Sequence, residues 1–66
     1  MEFSYMVKKA RQQLNISQEQ LARDLCVSFS TVNRWENGKA KPNKLARNAF
    51  KAFCEKNNVD IESDEV

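Results

Sequence analysis

The stretch "SFSTVNRWENGK", residues 28–39, gathers Ser28, Ser30, Asn33, Arg34 and Asn37, all side chains that make directional hydrogen bonds. Wound as a helix, Phe29, Ser30, Asn33, Arg34 and Asn37 fall on one side, while Val32 and Trp35 fall on the other with Thr31 beside them. None of these groups is a strong nucleophile or an acid–base pair. The 66-residue chain has no histidine, and its two cysteines form no CxxC, so a zinc site and histidine-based catalysis are not expected. No cofactor is implied, and the chain is expected not to be an enzyme. A helix side rich in short polar groups and one guanidinium suits recognition instead. A single α-helix fits the DNA major groove, where arginine can pair with guanine and asparagine with adenine. Arg34 is thus read as a guanine reader. Asn33 either reads adenine or touches a phosphate. Phe29 either packs down or stays exposed against a thymine methyl.

Such a helix must be seated by others. Apolar spacing predicts a first helix capped by Ser4 and running through Leu14, with Phe3, Met6, Val7, Ala10 and Leu14 on its inner face. "ISQEQL" predicts a second helix over 18–25. Ser17 is its cap, Gln20 the other half of a capping box, and Ile16 with Leu21 a hydrophobic staple. Cys26 and Val27 form a turn, Ser28 caps the third helix to about Asn37, and Gly38 ends it. After the basic loop "KAKP", Asn43 caps a fourth helix from Lys44 to about Lys56, with Leu45, Ala46, Ala49, Phe50 and Phe53 inward. One glycine and one proline leave few turns for a β fold, so the class is all-α: a compact four-helix, or five-helix, domain.

Charge divides the chain. Residues 1–56 hold all eleven Lys and Arg with five acids, a net of +6; residues 57–66 hold the other four acids, a net of −4. A basic body suits a polyanion. The domain is placed at 1–56, with "NNVDIESDEV" as an acidic, disordered tail that has few apolar anchors. No apolar run approaches the roughly 18 residues of a membrane span, and no signal-peptide core is evident, so a cytoplasmic protein with Cys26 and Cys54 as reduced, inert packing residues is expected.

Two short capped helices joined by a tight turn make a helix-turn-helix from the second and third helices. "SQEQLARDLCVSFSTVNRWENGKAKP" resembles the phage-repressor and Cro type, the xenobiotic-response-element class of bacterial regulators, over about residues 5–55. The resemblance implies that Gln18 touches a phosphate while bracing the third helix. It places Phe29, Ser30, Asn33 and Arg34 toward bases. Phosphate contacts are expected from Gln18, Ser28, Thr31, Asn37, Lys39, Lys41 and Lys44. It also pairs Arg11 with Glu36 between the first and third helices. Two departures stand out: Cys26 occupies the usual glycine of the turn, implying φ > 0, and the acidic tail stands where relatives carry a dimer-forming fifth helix.

The expected function is sequence-specific binding of double-stranded DNA by a small transcriptional repressor, as a homodimer on a pseudo-palindromic operator. The rivals are an antitoxin-like autoregulator that also holds a toxin, and a protein-interaction module that has lost DNA binding. Polymerase is the other protein partner considered; a membrane is not expected.

Overall fold

The computed structural model describes residues 2–59. Four helices follow one another: α1 (Phe3–Leu14), α2 (Gln18–Leu25), α3 (Phe29–Glu36) and α4 (Lys44–Lys56), and no strand occurs among the described residues. Val7 and Ala10 of α1, Leu21, Ala22 and Leu25 of α2, Val32 and Trp35 of α3, and Phe50 and Cys54 of α4 meet in one core. Helices of eight residues such as α2 and α3 do not persist alone, so their stability comes from this shared packing.

Side chains start three of the helices. Ser17 Oγ accepts from Gln20 N–H (3.0 Å), Ser28 Oγ from Thr31 N–H (3.1 Å) and Asn43 Oδ1 from Ala46 N–H (2.8 Å). The capping box at α2 is only half made, because the Gln20 amide turns along the helix and donates to Asp24 Oδ1 (3.0 Å). Ser4 is not a cap. The N-cap of α1 is Glu2, without a side-chain bond, since Phe3 is already drawn into the core edge-on to Trp35 and Phe50, both at 5.2 Å between ring centroids.

The turns rely on left-handed residues. Asn15 (φ 57°) follows α1 and Cys26 (φ 60°) follows α2, while Gly38 (φ 71°) lies just past the Asn37 C-cap of α3. Cys26 therefore takes the positive φ expected of it, and it is exposed where a packing role was expected. Its N–H donates to Arg23 C=O and the next N–H, of Val27, to Ala22 C=O (2.9 Å), closing the end of α2.

Two further expectations are corrected. Leu45 (79% exposed) and Ala49 lie outside the core; the inward residues of α4 are Phe50 and Cys54, flanked by the half-buried Ala46 and Phe53. At 3.6 residues per turn, Leu45 and Ala49 stand roughly 140° and 100° round the helix from Phe50. The chain also does not fray at Asn57. Asn58 is left-handed (φ 58°), Val59 N–H donates to Cys54 C=O (2.8 Å), and Val59 packs against the core. The rest of the expected tail, residues 60–66, lies outside the described residues.

Candidate nucleic-acid interface

Helix α3 has two sides of different character. Val32, Trp35 and Glu36 are buried, while Phe29, Ser30, Arg34 and Asn37 are exposed and Asn33 is half-buried. The ambiguity over Phe29 is resolved toward solvent: it is 51% exposed at the first turn. Trp35 belongs to the core, as expected of an aromatic residue at helical spacing.

Glu36 is the one buried charged residue among those described, 4% exposed, and it is fully partnered. Arg11 grips it as a fork, Nε donating to Oε2 (2.6 Å) and Nη2 to Oε1 (2.9 Å). The remaining arm of Arg11, Nη1, donates to Ile16 C=O (3.1 Å) and so also fixes the α1–α2 turn. The expected pair between the first and third helices is therefore present in geometry. Burial pushes the Glu36 carboxyl up, but hydrogen bonds from Arg11 and Gln18, with the charges of Arg11 and Lys8, outweigh it and hold the carboxyl below its ordinary range. The hydrogen bond to Glu36 raises the Arg11 guanidinium in turn.

From Glu36 a chain of amides leads outward. Gln18 Nε2 donates to Glu36 Oε1 (3.0 Å), Asn33 Nδ2 donates to Gln18 Oε1 (3.1 Å), and Asn37 Nδ2 donates to Asn33 Oδ1 (3.1 Å). Gln18 thus braces α3 from the first residue of α2, and both heteroatoms of its amide are engaged within the protein. The Asn33–Asn37 link follows from i,i+4 spacing. The Gln18–Asn33 link joins residues fifteen apart and carries no local sequence signal.

The other residues expected to touch phosphate lie at the N-terminus of α3, in the loop that follows it and at the start of α4. Ser28 Oγ lies within hydrogen-bond distance of Thr31 Oγ1 (2.8 Å) and Ser30 Oγ (3.2 Å), at the N-terminus of α3. Lys39 and Lys41 are exposed in the loop after Gly38, and Lys44 is exposed at the first position of α4. Arg47, which sequence reasoning passed over, joins Lys41 on the rim of an open cleft of about 660 Å³ whose lining includes Phe3, Trp35 and Pro42. No group of residues able to hold a metal ion occurs among those described, and none of their helices is long and apolar enough to cross a membrane.

A capped α2, a tight left-handed turn and an α3 with one locked and one open side define a helix-turn-helix DNA-binding domain of the kind carried by transcription regulators. The helix-turn-helix family model matches residues 7–45, and the chain belongs to that Cro/C1-type family. It is 44% identical over 53 residues to an HTH-type transcriptional activator, BcrR, of Enterococcus faecalis; the match covers 80% of this chain and 26% of that one. It is 39% identical over 57 residues to the type II methyltransferase M1.ScrFI of Lactococcus lactis subsp. cremoris, covering 82% and 15%. The chain thus spans about a quarter or less of the length of these curated relatives. No solved structure matches it.

Proposed function

We propose that this chain is a sequence-specific DNA-binding transcriptional regulator that seats α3 in the major groove, as two copies on a pseudo-palindromic operator. The observation that carries the reading is the split of α3, whose inner side is held by Val32, Trp35 and Glu36 and whose outer side offers Phe29, Ser30, Asn33 and Arg34. Exposed phenylalanine beside an arginine and basic loops suits a thymine methyl and a guanine edge. Gln18, Ser28, Thr31, Asn37, Lys39, Lys41 and Lys44 form the phosphate-contacting rim, with Arg47 added. The chain matches 26% of the activator's length and 15% of the methyltransferase's, so the helix-turn-helix, and not methyl transfer, is what is carried over to it. Mechanism then requires only occupancy. The bound dimer either blocks polymerase, which is the repressor reading, or recruits it, as the name of the activator relative suggests.

Selection of bound sequences from random duplexes tests this directly. Arg34→Ala should remove about 1–3 kcal/mol of discrimination at one base pair per half-site. Lys41→Ala should weaken cognate and scrambled duplexes alike and flatten the slope of log affinity against log salt by about 0.9 per protomer. Equal weakening of both duplexes by Arg34→Ala would make it another phosphate anchor. A protein that enriches no duplex and shows no salt-dependent binding is an interaction module.

A further inference from the structure

The hydrogen-bond chain that leads from Glu36 through Gln18 to Asn33 has a direction. An ionised carboxylate accepts and never donates, so the Gln18 atom that meets Glu36 Oε1 must be its amide nitrogen. Gln18 Oε1 is then the atom left to face α3, and only a donor can meet it, which turns Asn33 Nδ2 inward (3.1 Å). Asn33 Oδ1 is in turn the atom that accepts from Asn37 Nδ2 (3.1 Å). A free asparagine amide is ambiguous by a half-turn about its last bond. Here the ambiguity is removed three links away, by the Arg11 fork that keeps Glu36 charged.

Counting the valences of Asn33 shows what remains. Its nitrogen has one N–H beyond the bond to Gln18, and its oxygen has one lone pair beyond the bond from Asn37. It is half-buried on the open side of α3, between the exposed Phe29, Ser30, Arg34 and Asn37. We infer that Asn33 is a pre-oriented adenine reader, offering one donor to N7 and one acceptor to the N6 amine. Gln18 is its positioning residue, wired to the Arg11–Glu36 pair. Guanine presents two acceptors, O6 and N7, on the same edge, so the oxygen of Asn33 would face O6 without a proton between them. An amide turned the wrong way would oppose adenine as well, donor against amine and acceptor against N7. The relay excludes that orientation before the DNA arrives. It makes a phosphate role for Asn33 unnecessary, and it leaves Gln18 with only the second hydrogen of its nitrogen for a phosphate.

The inference rests on α3 as the base-reading helix and is tested so that the two can fail separately. The full chain is first used to select its preferred duplex. Each adenine of that duplex is then replaced singly by 7-deazaadenine, which removes the N7 acceptor and leaves the shape of the base. One adenine per half-site should lower wild-type affinity roughly tenfold on this replacement, and Asn33→Ala should bind the natural and replaced duplexes equally. Changing that A·T pair to G·C should lower wild-type affinity by about 5- to 150-fold. Gln18→Leu should shrink this ratio several-fold while leaving discrimination at the Arg34-dependent base pair unchanged, a split that general loosening of α3 would not produce. The wild-type replacement series needs no variant, so a poorly folded Gln18→Leu does not spoil the test. Insensitivity to 7-deazaadenine at every adenine, with Arg34-dependent specificity intact, overturns the inference and leaves the functional reading standing. Failure to select any preferred duplex overturns both.

Discussion

Removing the Arg11 cation while keeping its bulk puts the buried carboxylate of Glu36 under strain that can be measured. Arg11→Met retains most of the apolar stem but deletes two charge-assisted bonds to Glu36 and one to Ile16 C=O. Breaking a buried ion pair from one side destabilises by about 3–5 kcal/mol. Arg11 is 24% exposed on its side chain, and Gln18 remains as a donor to Glu36, so about 2–4 kcal/mol is expected here. A domain of this size holds roughly 3–10 kcal/mol in total. Urea unfolding followed by the fluorescence of Trp35, the chain's one tryptophan, should therefore show the midpoint falling by about 2–4 M, at a slope near 1 kcal/mol/M. The pH dependence is the sharper part. In the wild type the Glu36 carboxyl lies below its unfolded value, so its contribution is present above about pH 4.5 and is lost as pH falls through the folded value. In the variant, burial acts with less to oppose it and the carboxyl rises. Protonation then relieves the variant first, and the gap between the two proteins should narrow from pH 7 to pH 4. A loss under about 1 kcal/mol, or a gap that does not change with pH, would refute the account of Glu36 as a carboxylate kept charged by Arg11.

Four other outcomes follow from Cys26, Cys54 and Val59. Cys26→Gly should raise stability by about 1 kcal/mol or leave it unchanged, since a side chain at φ 60° carries strain that glycine avoids; thermal melts read this, and a lower melting temperature would count against it. The Cys54 thiol is pushed up to about 11 by burial, so the folded chain resists its ionisation and stability should fall as pH rises above about 9, where the unfolded thiol ionises. In folded protein, alkylation at pH 8 should mark the exposed Cys26 first and spare Cys54. Val59→Ser should lower stability by about 1 kcal/mol in the same melts, because Val59 packs on the core; no effect would return it to a dispensable tail.

The helices were legible because their starts and stops are chemical: Ser17, Ser28, Asn43 and Gly38 each sit where the chain enters or leaves a helix. Legibility failed where a distant partner overrode a local cue. Ser4 is a good cap by type, yet packing of Phe3 against Trp35 and Phe50 starts α1 earlier. Leu45 is the most apolar residue of its turn, yet α4 meets the core along Ala46, Phe50, Phe53 and Cys54, so it points away. For the candidate site, periodicity alone separated the open side of α3 from the locked one. The Arg11–Glu36 pair came only through family resemblance. The link from Gln18 to Asn33 depends on how α2 crosses α3, which no spacing within either helix encodes.

The division of α3 also bears on how such a domain can change over generations. Phe29, Ser30 and Arg34 lie outside the core on the exposed side of α3, and substitutions at surface positions of this kind usually shift stability by no more than about 0.5 kcal/mol. Whatever those three side chains recognise can therefore drift one mutation at a time without a compensating change elsewhere. Asn33 has no such freedom. A replacement there leaves the outward amide oxygen of Gln18 without its donor and Asn37 without its acceptor, so a new residue at 33 survives best when 18 or 37 changes with it. Divergence of recognition should run fast along three positions of the helix and in coupled steps at the fourth.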